Sequence, residues 1–190
     1  MKLAVLFPGI GYTVTKPLLY YAGRLAASAG YRVVPVAYGD LPGNAKGDPE
    51  KMRLCLVTAY ERAEEALRGV DWHECDAVLF IGKSIGTTVA ARYAMAHGVP
   101  ARLILLTPLV ETFRFTKGPA IAFHGTADPW ADTGAIRSAC AAQGIALYLT
   151  EGANHSLETG EVKADLSALT ATMAVVEGFI RNTGRGNVDR

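Results

Sequence analysis

Charge of one sign is what this sequence most plainly lacks: 19 Lys and Arg offset 18 Asp and Glu over 190 residues, a formal net charge of +1. A chain so balanced carries no electrostatic footprint for nucleic acid or an acidic membrane surface, and no helix-turn-helix, zinc-finger or basic stripe takes its place. Cysteine is scarce as well. Cys55, Cys75 and Cys140 are an odd number at unrelated spacings, which argues against a disulfide framework and for a reducing, cytoplasmic setting. Long apolar runs are missing: LAVLF at 3–7 is stopped by Pro8, Gly9 and Gly11, too soon for a secretory core, and no later segment approaches a membrane span. The four histidines and three cysteines are scattered, with no H-E-x-x-H or paired-cysteine spacing, so no metal and no cofactor is expected. With no repeat, linker or low-complexity tract, the reading is one domain over residues 1–190.

What is present is a rhythm of short apolar runs and helical stretches, in a chain that is 50% hydrophobic. Strands are predicted at 3–7, 31–38, 77–81, 102–107, 120–124 and 145–150. Helices are predicted at about 15–29 with Pro17 in the first turn, 50–68 with Leu54, Val57, Ala63 and Leu67 on its apolar face, 84–97, 131–142 and 162–181. The runs are continuously apolar rather than alternating, the mark of a parallel sheet covered by helices on both faces. Pro35 places the second strand at a sheet edge, and it weakens that edge as a dimer ladder, leaving monomer and homodimer both open. Two loops break the rhythm, 39–49 and 108–118. Phe113 and Phe115 in the second either line a shallow site or simply pack.

VLFIGKSIGTT at 78–88 is the stretch that carries chemistry. A strand that ends on G-x-S-x-G fits a tight strand-to-helix elbow, where only glycine fits beside the serine and the hydroxyl of Ser84 stands at the top of the sheet. Parallel sheets gather functional groups at the carboxyl ends of their strands. Asp128 follows the fifth strand in FHGTADPW and His155 the sixth in TEGANHSLE, so Ser, Asp and His share one edge in that order. Their chemistry is complementary. Serine needs an imidazole to take its proton, and the imidazole needs a carboxylate to hold its tautomer. His73, His97 and His124 compete for the base and Asp132 and Asp165 for the acid, but position favours His155 and Asp128. Acyl transfer also needs donors for the oxygen of the reacting carbonyl. The N–H of Ile85 is one; the turn PGIGYT at 8–13 offers a second around Ile10, Gly11 or Tyr12.

The same loops exclude nucleotide binding. GIG after the first strand lacks the third glycine of a dinucleotide loop, and GKS at 82–84 has Ala77 where a phosphate loop needs its first glycine. Lys83 is left without a role there; it either pairs locally or reaches solvent.

GKSIG together with FHGTADPW and GANHSLE resembles the α/β-hydrolase superfamily over nearly the whole chain, in particular its small, lidless dienelactone-hydrolase-like and Tex30/KANL3-like members. The resemblance implies a three-layer α/β/α sandwich that starts at the third strand of the full fold, with about six parallel strands in the order 2-1-3-4-5-6 and no cap domain. It implies Ser84 as nucleophile, Asp128 as acid and His155 as base, with Ile85 and a residue of 10–12 as oxyanion donors. Ser84 stands where dienelactone hydrolases carry cysteine. A shallow, capless site suits a small-molecule ester or thioester, and carboxylesterase is the expected activity; a peptidase or amidase on the same triad and a non-catalytic binding scaffold remain the alternatives.

Overall fold

The structure, a computed structural model, describes residues 1–43 and 45–182. Six strands form one parallel sheet: β1 (Lys2–Phe7), β2 (Arg32–Pro35), β3 (Ala77–Lys83), β4 (Ala101–Leu106), β5 (Ala120–Gly125) and β6 (Ala146–Thr150), in the spatial order β2-β1-β3-β4-β5-β6. Val5 of β1 sits between Val34 of β2 and Phe80 of β3, and Ile104 of β4 pairs with Ile81 of β3 and Ile121 of β5. The four inner strands are buried nearly end to end, as two-sided coverage demands, whereas the edge strands β2 and β6 are half exposed. β2 is shorter than the 31–38 expected. Proline has no N–H for the ladder, so pairing stops after one further bond, from Val36 N–H to Leu6 O at 2.9 Å. Its position at the edge agrees with the sequence reading.

Among the described residues five helices cover the sheet: α1 (Pro17–Ser28), α2 (Pro49–Leu67), α3 (Ile85–Ala96), α4 (Thr133–Ala142) and α5 (Val162–Arg181). One core lies between the sheet and α1 and α5, around Leu19, Leu79, Ile81, Ile104 and Val176. The other lies under α2, α3 and α4, around Phe7, Phe80, Val89, Leu103 and Ile136. The result is the three-layer α/β/α sandwich, without a cap domain among the described residues.

Local chemistry sets the helix starts. Asp48 accepts from Lys51 N–H to cap α2, Asp132 from Ala135 N–H to cap α4, and Glu161 from Ala164 N–H to cap α5. The buried stripe of α2 differs from the one expected. Ala63 and Leu67 lie on it as expected, but the other members are the small Cys55 and Ala59, while Leu54 is exposed. Between β4 and β5 a 3-10 turn at Val110–Arg114 seats Phe113 in the second core, with Phe115 packed against it. These aromatics are packing. Thr112 in the same turn bonds to the hydroxyls of Thr87 and Thr88 at 2.7 and 2.9 Å, which pins the turn to α3.

Candidate active site

The junction of β3 and α3 is strained by construction. Ser84 has φ 57° and ψ −124°, a left-handed conformation that costs a side-chain-bearing residue about 1–3 kcal/mol. Its N–H is held by Leu106 O at 3.0 Å and its carbonyl accepts from Thr87 N–H at 3.0 Å, so both flanks over-determine it. The glycines on either side are steric necessities. A Cβ at Gly86 would overlap the carbonyls of Phe7 and Pro8, and one at Gly82 would lie 2.6 Å from Thr87 Cα. With the elbow so tight, the serine hydroxyl is directed away from the sheet toward the loops after β5 and β6.

Those loops are tied together by Thr126 N–H to Thr150 O and Ala127 N–H to Ala153 O, at 3.0 and 2.9 Å. They deliver His155 between two partners: Nε2 lies 2.8 Å from Ser84 Oγ and Nδ1 lies 2.7 Å from Asp128 Oδ2. The other oxygen of Asp128 accepts from Trp130 N–H at 2.8 Å. Burial raises the carboxyl pKa, but the bonds from His155 and Trp130 and the neighbouring imidazoles outweigh it, so Asp128 lies below its ordinary range and is ionised. His155 is drawn below an ordinary histidine, by burial first, against the pull of its bond to Asp128. At neutral pH the ring is therefore uncharged, with the proton on Nδ1 toward the carboxylate and Nε2 free to accept from Ser84.

The rival residues do other work. Asp132 caps α4, and Asp165 accepts from the N–H and hydroxyl of Thr159 at 2.6 and 2.8 Å. His97 pairs with Glu64 at 2.7 Å beyond the end of α3, and His73 is exposed before β3. Two residues outside the sequence-predicted set stand beside the triad. The indole of Trp130 stacks on His155 with centroids 5.3 Å apart. His124, a rival for the base in the sequence, is wholly buried with Nδ1 3.6 Å from Asp128 Oδ2 and Nε2 3.0 Å from Thr133 Oγ1. Burial holds it below an ordinary histidine pKa. The four-residue spacing in HGTAD was the available signal for it.

The turn after β1 lies against the serine: a Cβ on Gly9 would come 3.1 Å from Ser84 Cβ. Gly9 and Tyr12 bond reciprocally, N–H to O at 3.0 Å and 3.3 Å. Both of their N–H groups are thus spent, while those of Ile10 and Gly11 have no partner among the described residues. Ile85 opens α3, so its N–H has no intrahelical acceptor. Two open clefts of about 400 and 430 Å³ lie nearby, one lined by Gly9, Ile10, Tyr38 and Leu41, the other by Lys46, Met52, Leu109 and Trp130. Among the described residues no group of three His, Cys, Asp or Glu converges as a metal site, and no helix is long and apolar enough to cross a membrane.

No protein-family model matches the chain, and no curated protein matches it. Solved structures do. A serine hydrolase without a lid from Xanthomonas campestris superposes with a TM-score of 0.63 at 18% identity, over 97% of this chain and 83% of that one. An α/β serine hydrolase homologue from Coxiella burnetii gives 0.66 at 17%, over 97% and 85%. Est1E from Butyrivibrio proteoclasticus, with ferulic acid bound, gives 0.67 at 13%, over 95% and 88%. The hydrogen-bonded Ser, His and Asp supply the triad-like geometry of a serine hydrolase, and the chain carrying them shares the fold of these solved hydrolases.

Proposed function

We propose that the protein is a carboxylesterase that cleaves small esters or thioesters through an acyl-enzyme. The observation that carries this reading is His155, bonded at once to Ser84 Oγ and Asp128 Oδ2. Ser84 Oγ attacks the carbonyl carbon as His155 Nε2 takes its proton, and Asp128 stabilises the imidazolium that forms. The negative charge that develops on the carbonyl oxygen is met by N–H groups of Ile85 and of Ile10 or Gly11; that of Tyr12, already given to Gly9, is set aside. His155 then returns the proton to the leaving alcohol or thiol. Water enters, gives its proton to His155, and releases the acid as Ser84 regains its hydrogen.

The absence of a cap between β4 and β5 favours small, exposed substrates over long buried acyl chains. On the resemblance of GKSIG, FHGTADPW and GANHSLE we read the chain as a dienelactone-hydrolase-like or Tex30/KANL3-like member, a single cytoplasmic domain working as monomer or homodimer without nucleic acid. The ferulic acid held by Est1E makes a hydroxycinnamate ester the natural second substrate class to try. The test is hydrolysis of p-nitrophenyl esters from acetyl to octanoyl by the wild type and by Ser84→Ala, with fluorophosphonate labelling alongside. Turnover and labelling that both vanish in Ser84→Ala support the reading, and a wild type that neither turns over nor labels would overturn it.

A further inference from the structure

Lys83 has no place in that reaction, yet it is the residue before Ser84 and is only 1% exposed. Alternation along β3 explains its burial. Leu79 and Ile81 point into the core under α1 and α5, and Lys83 follows them to the face that also holds Tyr12 and Leu157. Among the described residues its ammonium forms no ion pair and no hydrogen bond. What it meets is the ring of Tyr12, with Nζ 4.8 Å from the centroid, a cation–π contact that gains strength when both partners are desolvated.

Tyr12 is the hub of the turn beside the serine. Its backbone closes the reciprocal pair with Gly9, and its hydroxyl accepts from Leu18 N–H at 3.1 Å, joining the turn to α1. Between Gly9 and Tyr12 lie the two unspent N–H groups, those of Ile10 and Gly11. A methionine would fill the space of Lys83 without desolvating a charge. Resting on the serine-hydrolase reading above, we propose that Lys83 is a positioning residue: its ammonium holds the Tyr12 ring, and through it the Gly9–Tyr12 turn, so that the Ile10 and Gly11 N–H groups stay aimed at the reacting carbonyl oxygen.

The hold exists only while Lys83 is protonated. Burial draws its pKa down to about 7, with Asp128 and Glu158 opposing and Lys16 adding to the fall. Tyr12 is itself raised to about 12, first by burial, so its ring stays neutral throughout. His155 must be uncharged and Lys83 charged for turnover. Activity therefore rises on the acid side as His155 loses its proton and falls on the alkaline side as Lys83 does. Lys16, whose Nζ lies 5.4 Å from the same ring, is exposed.

The experiment is the pH dependence of kcat and KM for p-nitrophenyl acetate in the wild type, K83M, Y12F, Y12L and the double variant K83M/Y12L, with fluorophosphonate labelling counting competent serines. K83M is expected to lose about 10- to 100-fold in kcat, short of the ~10²–10³ lost with an oxyanion donor outright. KM should hold, and the alkaline limb should disappear. Y12F keeps the ring and with it the alkaline limb, Y12L loses that limb as K83M does, and the double variant is no worse than Y12L, because the contact between Lys83 and Tyr12 is already broken there. A K83M enzyme that keeps the wild-type kcat and alkaline limb, or additive losses in the double variant, would overturn the proposal while leaving Ser84 as nucleophile. A wild type that neither hydrolyses nor labels would overturn both.

Discussion

At the amino-terminal edge of the sheet the chain turns left-handed on glycine, at Gly30 before β2, Gly98 before β4 and Gly144 before β6; at the carboxyl edge Gly11, Gly39 and Gly152 do the same, but Ser84, Thr107 and Leu157 do so despite their side chains. Charge divides the same way. The ion pairs near the amino edge, Met1 with Asp76 and His97 with Glu64, are solvent-facing, whereas Lys83, His124 and Asp128 at the carboxyl edge are buried. Thr107 adds a buried hydroxyl with no hydrogen-bond partner. One sheet thus has an edge built for stability and an edge where strain and desolvated charge are concentrated. Such features persist only where the surroundings over-determine them, and they mark functional sites.

The comparison breaks most sharply at the elbow. Ser84→Ala should cost about 10⁶-fold in kcat, as removal of a triad serine does elsewhere, with the fold intact by circular dichroism. A variant that retains turnover would remove Ser84 from the mechanism. Next is Asp128→Asn, expected to lower kcat by about 10⁴-fold because the amide leaves His155 in the wrong tautomer. Asp132→Ala is its control. It loses the cap on α4, worth about 1 kcal/mol, and should leave kcat alone; the reverse pattern would move the acid to Asp132.

Lys83 tests whether the carboxyl edge holds its charges at the expense of stability. Its pKa in the fold is about 7 against 10.5 for the free side chain. Above pH 10.5 both states are neutral and nothing is lost. As pH falls toward 7 the unfolded chain takes up a proton that the folded one resists, so stability declines, and below 7 the loss is complete at an upper bound of about 5 kcal/mol. Lys83→Met should therefore be more stable than wild type at pH 7, by a few kcal/mol in urea denaturation, with the gap closing toward pH 10. A destabilised variant with no pH dependence would show that the lysine is structural filling.

The strands, helices and triad positions were legible because they follow local rules: apolar runs of strand length, a G-x-S-x-G junction, and the gathering of strand ends at one edge. The neighbours of the triad were not. His124 meets Asp128 only because the chain folds back on itself over four residues, and Trp130 stacks on His155 only because the β5 and β6 loops are laced together. The direction of Lys83 follows from strand parity, yet its burial depends on Tyr12 from a loop some seventy residues away in the chain. The stripe of α2 misled for a simpler reason. Its contact face is made of Cys55, Ala59 and Ala63, residues too small to stand out against an exposed Leu54.

The smallest effect belongs to the amino edge, where Gly98 closes the turn between α3 and β4 at φ 60°. A Cβ built there meets nothing within 4 Å, so an alanine is opposed by backbone conformation alone, at about 1–2 kcal/mol. Gly98→Ala should lower the unfolding free energy by that amount, through a lower urea midpoint at an unchanged slope, and kcat for p-nitrophenyl acetate should stay at the wild-type value. The turn lies at the opposite end of β4 from Thr107. If the alanine lowered kcat as well, strain at the two edges would be coupled through the strands, and the division of the sheet into a stable edge and a strained one would fail.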